Sequence, residues 1–426
     1  MLHPMEAARA LAPMVGRLVG DDRPIRFEFW DGTSLGPADA PATVLFRSPR
    51  ALRRLLFAPG ELGLGRAYVA GELDVRGDFE AVLSLGDDRT DLNFGLGGAA
   101  DALRAVLATG AFRPLRLAPP PEEARLRGRR HSRERDAAAI AHHYDVSNDF
   151  YRLVLGPTMT YSCAYFASPD STLEEAQADK LELICRKLRL QPNERLLDVG
   201  CGWGSLLIHA ATNFGVEGVG VTLSRRQAEL AAKRVAEAGV ADRVSIRLQD
   251  ERDVDDGPYD AIASVGMFEH VGASRLSGYF GHLHQLLRPQ GRLLNHGISC
   301  PPGSRKRLQL HGRSFSQRYV FPDGELLEVG AVVTAMQRAG FEVRDLEGLR
   351  EHYALTLHRW VANLEANRKE AASLVGEARY RVWRLFMSVG ARGFELGKSE
   401  VFQVLAVRSE RGRSGLPLRR ADTVLP

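Results

Sequence analysis

Three glycines at alternate positions mark the stretch of this sequence best suited to bind a nucleotide-like ligand. Gly200, Gly202 and Gly204 follow an apolar run that contains Asp198, and a helical pattern begins at Ser205. Glycine permits positive φ and lets a ligand lie against the backbone, where a helix N-terminus offers free N–H donors. A dinucleotide fingerprint would need glycine at position 205. The spacing therefore favours another nucleotide-like ligand, with an ordinary strand-to-helix turn as the alternative.

Two other segments bring polar or titratable side chains to places where a ligand could bind. An apolar strand pattern over Tyr259–Val265 runs directly into Glu269 and His270. The carboxyl ends of parallel strands are where α/β proteins bind substrate, although a surface Glu-His pair at a helix start is the alternative. Upstream, the aromatic segment 142–166 places Tyr161, Ser162 and Cys163 side by side. Core packing explains many of its aromatic residues but not that polar triplet.

The glycine turn resembles the first motif of class I S-adenosylmethionine (SAM) methyltransferases, which is G-x-G-x-G with an acidic residue on the preceding strand. Ordinary members of that class also carry a carboxylate for the ribose hydroxyls at the end of the next strand. Here that strand pattern, 218–223, ends without one. Thr222 and Gln227 offer a hydroxyl and an amide in its place.

Several segments in a fixed order resemble the cyclopropane-fatty-acyl-phospholipid synthase family, which includes the mycolic acid cyclopropane synthases and the actinobacterial fatty-acid methyltransferases. These segments are HYDVSNDFY, TYSCAYF, TLEEAQADK, LLDVGCGWG, GVTLSRRQ, SVGMFEHVG and HYALTLHRW. The resemblance spans about residues 141–408. The amino-terminal part resembles the small lipid-binding domain of the bacterial synthases more loosely.

The resemblance implies SAM as the cofactor and bicarbonate as a general base, with no metal. The implied SAM-binding residues are Tyr161, Ser162, Asp198, Gly200, Gly202, Gly204, Thr222, Gln227, Gln249, Asp250 and Glu251. The implied bicarbonate-binding, catalytic residues are Cys163, Glu269, His296, Ile298 and Tyr353. From the residues alone, Cys163 is equally well explained as a small buried hydrophobic side chain.

The implied reaction begins when a cis double bond of a phospholipid acyl chain attacks the sulfonium methyl of SAM. The resulting carbocation needs electron-rich aromatic faces, for which Tyr165, Phe166, Phe268 and Tyr353 are the candidates. Proton loss from the new methyl gives a cyclopropane. A hydride shift before proton loss gives a methylene branch that a partner reductase can convert to a methyl branch. The motifs leave both products open.

Strand patterns at 218–223, 244–248, 259–265 and 292–296 alternate with helix patterns and predict an α/β fold for residues 138–408, with the doubly wound, mainly parallel sheet of class I methyltransferases. Residues 1–118 are predicted to form a smaller α+β lipid-binding-like domain. Residues 119–137 are predicted to be a basic Pro/Arg-rich linker, and residues 409–426 a flexible tail. The linker is either simply solvated or an electrostatic tether to an anionic membrane surface.

Composition narrows the class of protein further. The 426 residues include four cysteines without C-x-x-C spacing, and neither a signal peptide nor an apolar run of membrane-spanning length is visible. We therefore expect a cytoplasmic protein that associates peripherally with the inner face of the cell membrane. No nucleic-acid-binding fold accompanies the basic linker. The family resemblance implies a homodimer.

Two other function classes fit the sequence less well. A non-catalytic lipid-binding or transfer protein would suit the amino-terminal part and the linker, but it would not need the intact Cys163, Glu269, His296 and Tyr353. An NAD-dependent oxidoreductase conflicts with Ser205 and with the missing acidic residue after Val221. A SAM-dependent enzyme that modifies acyl chains is the prediction.

Overall fold

The computed structural model describes residues 6–19, 24–58, 60–87, 95–109, 117–144, 146–304 and 314–420. The chain divides into two compact units. The smaller unit contains Met1–Ala124, Arg313–Val320 and Gly376–Val389, and the larger contains Arg125–Gly312, Phe321–Val375 and Gly390–Pro426. Residues 421–426 of the predicted tail lie outside the described part of the chain.

The secondary structure alternates between helices and strands through most of the chain. The helices are α1 (Ala7–Val19), α2 (Arg50–Phe57), α3 (Glu61–Val69), α4 (Phe79–Leu83), α5 (Gly95–Ala108), α6 (Arg133–Tyr144), α7 (Asn148–Leu155), α8 (Leu173–Lys187), α9 (Ser205–Phe214), α10 (Arg225–Glu237), α11 (Phe268–Val271), α12 (Leu276–Leu286), α13 (Phe315–Tyr319), α14 (Val329–Arg338), α15 (Arg350–Ala366), α16 (Arg368–Val375) and α17 (Glu377–Glu395). The strands are β1 (Ile25–Glu28), β2 (Ser34–Leu35), β3 (Ala42–Phe46), β4 (Leu73–Gly77), β5 (Arg195–Val199), β6 (Glu217–Thr222), β7 (Val244–Leu248), β8 (Tyr259–Val265), β9 (Leu287–Ser299), β10 (Glu342–Gly348) and β11 (Glu400–Val407).

The smaller unit is built on a four-stranded sheet in the order β2-β1-β3-β4. Strands β1 and β3 run parallel, and the outer pairs are antiparallel. Alternating residues such as Phe27 and Val44 enter a core that also buries Leu11 and Leu52. Arg54 forms a buried ion pair with Glu72, which offsets the cost of removing both charges from water.

The larger unit contains a seven-stranded sheet in the order β10-β11-β9-β8-β5-β6-β7. Strands β9, β8, β5, β6 and β7 are parallel, whereas β11 runs antiparallel to both β9 and β10. The order reverses at β5, so a crevice opens beyond its carboxyl end. The predicted doubly wound, mainly parallel sheet is confirmed.

Local capping signals start the helices that border this crevice. Thr172 and Glu175 form a reciprocal capping box at the start of α8. The Ser147 and Ser224 hydroxyls accept hydrogen bonds from the third residues of α7 and α10, Phe150 and Gln227. These caps set where each helix begins, and so which of its residues reach the sheet edge.

The strands predicted at 218–223, 244–248, 259–265 and 292–296 are present, within a residue or two for the first three. The fourth is longer, because β9 continues from Leu287 to Ser299. The antiparallel strands β10 and β11 were not predicted, although they complete the sheet. No helix in the described part of the chain is long and apolar enough to cross a membrane.

A close approach between β9 and α11 makes a glycine necessary at position 297. A Cβ there would lie 2.1 Å from a ring carbon of Phe268, which is buried. We expect Gly297→Ala to lower the free energy of unfolding by about 1–3 kcal/mol, the usual cost of overpacking. Chemical denaturation measures this.

Gly278, in helix α12, is the matched control, because a Cβ at that position meets no atom within 4 Å. Gly278→Ala should raise stability by about 0.5–1 kcal/mol through better helix propensity. Equal effects of the two substitutions would contradict the packing argument.

Candidate active site

A cleft of about 890 Å³, partly open to solvent, lies at the carboxyl ends of β5, β6 and β8. We call it the central cleft. Of the predicted SAM-binding residues it is lined by Tyr161, Ser162, Asp198, Gly200, Gly202, Thr222, Gln227, Gln249 and Glu251. Gly204 and Asp250 are adjacent in sequence but do not line it. The structure therefore brings most of these residues to one place, and their binding roles stay predictions.

The glycine turn forms one wall of the central cleft and takes a shape that side chains disfavour. Gly200, Gly202 and Gly204 all have positive φ. At Gly200 a Cβ would also lie 2.4 Å from the sulfur of Met267, which lines the cleft from the β8–α11 connection. The turn thus exposes bare backbone and the N-terminus of α9 to any ligand in the cleft.

The opposite wall carries neutral hydrogen-bonding groups at the end of β6. Thr222 Oγ1 donates to Gln227 Oε1 at 2.8 Å, which fixes both side chains. The Gln249 backbone N–H donates to the Thr222 carbonyl at 3.1 Å and brings the next loop alongside. In that loop, hydrogen bonds from Arg252 lower the pKa of Asp250 despite its burial. Burial and the Asp250 charge raise the pKa of Glu251.

Asp198 and Lys180 are two buried ionisable groups on the lining of the cleft. Asp198 lies on β5 and is 3% exposed, and Lys180 lies on α8 and is 2% exposed. Burial raises the pKa of Asp198 and lowers the pKa of Lys180, and each shift is opposed by the charge of the other group. The two groups are therefore close enough to interact electrostatically.

Aromatic rings surround the part of the cleft nearest to α6 and α7. Tyr161 lies 5.1 Å from Trp360 and 6.1 Å from Tyr144, measured between ring centroids, and Tyr151 lies 4.9 Å from Trp203. Burial raises the pKa of Tyr144 and Tyr161, so both phenols stay neutral. Such a set of neutral rings can stabilise a cation and exclude water.

A second group is formed by the buried Glu269 and Cys163 and the half-buried Ile298 and Tyr353. Glu269 Oε1 accepts a hydrogen bond from the Ile298 backbone N–H at 2.7 Å. Burial raises the pKa of Tyr353 well above its usual range, and the neighbouring Cys163, Glu269 and Tyr144 raise it further. Four of the five predicted catalytic residues are therefore neighbours in the fold.

Two members of the predicted catalytic set keep a buried polar atom without a protein partner. Glu269 Oε2 and His296 Nδ1 form no hydrogen bond with any residue in the described ranges. Burial, together with Lys180 and Lys187, lowers the pKa of His296 to about 3, so its ring is neutral. Burial also raises the pKa of the Cys163 thiol, whose sulfur lies 3.2 Å from the Ala164 carbonyl oxygen.

The remaining predicted residues, those of the cation pocket, lie outside the lining of the central cleft. The Tyr165 ring stacks on His352 with centroids 4.7 Å apart, and the Phe166 backbone N–H donates to His352 Nδ1. Phe268 packs against Gly297 in the core. The rings that line the cleft are instead Tyr144, Tyr161 and Trp203.

Sequence reasoning missed several lining residues. Lys180 and Trp203 lie inside quoted family segments, but neither was assigned a role. A sequence signal existed for Lys180, because it is a lysine on the apolar side of an amphipathic helix pattern. Met267 and His270 were overlooked because a lining position depends on how the β8–α11 connection bends.

Comparison with known proteins identifies the family. The model of the mycolic acid cyclopropane synthetase family matches residues 131–404. The chain belongs to this family. Its larger unit thus has the fold of a SAM-binding methyltransferase, and the resemblance seen in the sequence is confirmed.

Relatives differ in how much of the chain they cover. A probable fatty acid methyltransferase of Mycobacterium tuberculosis is 43% identical over 93% of this chain and 94% of its own length. A tuberculostearic acid methyltransferase of the same organism is 36% identical over 94% of this chain and 92% of its own length. The crystal structure of a mycolic acid cyclopropane synthase complexed with SAH and CTAB is 37% identical, covers 64% of this chain and 98% of that one, and superposes with a TM-score of 0.60. The protein is therefore a SAM-dependent methyltransferase of this family.

The carboxyl group of Glu269 should make stability depend on pH. Burial raises its pKa to about 7, against the opposing effect of the Ile298 N–H. A carboxyl whose folded pKa lies above its unfolded value loses stability as pH rises between the two values. Each unit of difference corresponds to about 1.4 kcal/mol. We expect Glu269→Gln to gain melting temperature relative to the parent protein as pH rises from about 5 to about 8.

Thermal denaturation across that pH range measures the difference. Glu229→Gln, which changes an exposed carboxylate on α10, is the control and should track the parent protein. If the difference in melting temperature between Glu269→Gln and the parent protein did not change with pH, the raised pKa of the buried Glu269 carboxyl would be contradicted.

Proposed function

We propose that the protein transfers the methyl group of SAM to the cis double bond of unsaturated acyl chains in membrane phospholipids. The observation that carries the proposal is the position of the buried Glu269 and Tyr353 group beside a SAM cleft walled by neutral aromatic rings. An alkene is a weak nucleophile, so the reaction needs an enclosed site that stabilises a cation and keeps water away.

A methylene-branched chain is the product that the relatives favour. The two fatty acid relatives match both units of this chain, whereas the cyclopropane synthase structure matches 64% of it. Their names concern fatty acid and tuberculostearic acid methylation. We therefore favour methylene branching over ring closure. A reductase partner would then saturate the branch. We further propose that the enzyme is a homodimer.

The residues of the cleft suit the parts of SAM. The Gly202 and Trp203 backbone N–H groups and the Asp198 carboxylate would hold the methionine part, and Thr222 with Gln227 would bind the ribose hydroxyls. Tyr161 and Ser162 would close over the sulfonium. SAM supplies an electrophilic methyl whose bond to sulfur breaks as the alkene carbon bonds to it.

The protein then has to protect the carbocation left on the acyl chain. Neutral phenol faces at Tyr144, Tyr161 and Tyr353 can each contribute about 2 kcal/mol of cation–π stabilisation in a desolvated site. Tyr165, Phe166 and Phe268 remain the predicted outer members of this pocket. Because the rings exclude water, the cation is not quenched to an alcohol.

The buried group around Glu269 fits a small oxyanion. Glu269 Oε2 and His296 Nδ1 are buried polar atoms without a protein partner, and Cys163, Ile298 and Tyr353 are the other predicted contacts. A protonated Glu269 can donate to such an anion, and burial favours that protonated form. Bicarbonate bound there would supply a weak general base. His296 would orient it as a neutral ring.

Expression in a host rich in oleoyl phospholipids tests the reaction. We expect fatty acid methyl esters heavier than the parent chain by one CH2 group, and double-bond derivatisation separates a reactive methylene product from an inert ring. Glu269→Gln should lower product formation by about 100-fold or more, as loss of general acid–base function does. No mass gain from folded protein that binds SAM would favour the non-catalytic lipid-binding reading instead.

Removal of dissolved carbon dioxide tests the proposed base. In bicarbonate-depleted buffer the rate should fall about 10-fold or more, in line with loss of one proton-transfer group, and added bicarbonate should restore it. Tyr353→Phe should need more bicarbonate for the same rate. A rate that is indifferent to bicarbonate would exclude this ion as the base.

Exposed arginines in the predicted linker give the proposed membrane contact a structural basis. Arg130 pairs with Glu325, Arg133 with Asp253 and Arg135 with Asp323. The linker also exposes three arginines that form no ion pair with a described residue, namely Arg125, Arg127 and Arg129. These three are available to anionic lipid headgroups.

Vesicle co-sedimentation checks this contact. A variant with Arg127→Gln and Arg129→Gln should bind phosphatidylglycerol-containing vesicles about 30-fold more weakly, because each basic residue near an anionic bilayer contributes about 1 kcal/mol. A variant with Arg411→Gln and Arg413→Gln loses the same charge elsewhere and is the control. If both variants bound the vesicles equally more weakly, the loss would be an effect of net charge and the linker would not be a specific membrane contact.

A further inference from the structure

Lys180 is a buried ammonium group for which the protein supplies no hydrogen-bond acceptor. It is 2% exposed, lines the central cleft and makes no hydrogen bond or ion pair with any residue in the described ranges. An ammonium carries three donors, and those of Lys180 are left to whatever occupies the cleft, which is either water or a ligand. An anionic ligand group would satisfy them better than water, because a charge-assisted hydrogen bond is strong in a largely desolvated site.

A second lysine on the same helix shows what a satisfied position looks like. Lys187 lies two turns further along α8 and is also buried, but its Nζ contacts the Glu347 carboxylate and donates to Gln403 Oε1 at 2.8 Å. The fold therefore provides acceptors for one buried lysine and directs the other to the cleft. This contrast points to a ligand partner for Lys180.

Asp198 completes the electrostatic pattern. It also lines the cleft, is 3% exposed and accepts no hydrogen bond from any described residue. The opposite charges of Asp198 and Lys180 influence each other, yet the two side chains do not form an ion pair. A buried anion and a buried cation that face one cleft without pairing match a ligand that carries both charges.

We propose that Lys180 and Asp198 together bind the zwitterionic amino-acid end of SAM. Lys180 Nζ donates to the α-carboxylate, and Asp198 accepts from the α-ammonium. The inference rests on SAM as the cofactor and adds Lys180 to the residues that hold it. Both ends of the zwitterion are fixed, so the short chain between the α-carbon and the sulfur has little freedom. Lys180 is in this sense a positioning residue for the reactive methyl.

Cys163 and His296 also lie within electrostatic range of Lys180, which makes the bicarbonate group an alternative partner. Neither of those residues lines the cleft, whereas Asp198 does. The lining therefore favours the carboxylate of the cofactor over bicarbonate, and the experiment below separates the two anions.

Calorimetric titration of the full chain with three ligands tests the assignment. SAH carries the whole zwitterion, decarboxylated SAH lacks only the carboxylate, and 5′-methylthioadenosine lacks the amino-acid end. Lys180→Met should weaken SAH about 10- to 100-fold, the usual range for losing a charge-assisted hydrogen bond. It should change the affinity for decarboxylated SAH and for methylthioadenosine less than about 2-fold. Neither ligand carries the carboxylate, so the interaction between that group and Lys180 is already absent.

Lys187→Met is the matched control, since it removes an equally buried charge from the same helix and should leave the preference for SAH over decarboxylated SAH unchanged. If Lys180→Met does not fold, Lys180→Gln and the parent protein's own preference for SAH over decarboxylated SAH decide the question. Equal affinity of the parent protein for those two ligands would overturn the assignment.

Other outcomes separate the inference from the proposed function. Equal losses for all three ligands in Lys180→Met would assign Lys180 a merely structural role. Normal SAH affinity with an altered bicarbonate requirement would assign it to the base. A parent protein that binds none of the three ligands would instead overturn SAM as the cofactor.

Discussion

The transfer of ionisable groups out of water at the carboxyl edge of the larger sheet is the constraint on which this site depends. Glu269, Asp198, Lys180 and His296 are all almost fully buried, and burial is the largest cause of each pKa shift. Desolvation favours a neutral His296 and disfavours an ionised Glu269. Buried ionisable groups with shifted pKa values destabilise the fold, and they are typical of functional sites, where a ligand can supply the opposite charge.

In the reaction that we propose, the aromatic site and the group around Glu269 would meet two separate needs, which are to stabilise a carbocation and to remove its proton. A carbocation formed in water would be captured within its first solvent shell. Rings such as Tyr161 and Trp360 can stabilise it without offering a strong nucleophile, because burial keeps the tyrosine phenol neutral. The weak base must lie close by and yet be too weak to react with the methyl group itself, which is consistent with a small oxyanion held by Glu269 and Tyr353.

The two units of the chain are covered by different relatives, and this bears on the proposed substrate and product. The predicted SAM-binding and catalytic residues all lie in the larger unit, which holds most of the residues that the family model matches. The smaller unit, with its own four-stranded sheet and core, is covered by the two fatty acid methyltransferase relatives, which match more than nine tenths of the chain. Product and lipid preference are therefore questions about both units, since the residues of the cleft alone are compatible with ring closure and with branching.

The sequence by itself determined the family, the central parallel strands and the glycine turn, because these depend on local patterns: alternating or continuous apolar runs, and glycines where φ must be positive. Only the tertiary structure decided what is adjacent across long chain separations. It paired β11 with β9, placed Ile298 against Glu269, and put Lys180 and Asp198 on the lining of one cleft, whereas Lys187 meets the Glu347 carboxylate. No local pattern encodes these contacts, because burial and the choice of hydrogen-bond partner are set when distant segments pack together.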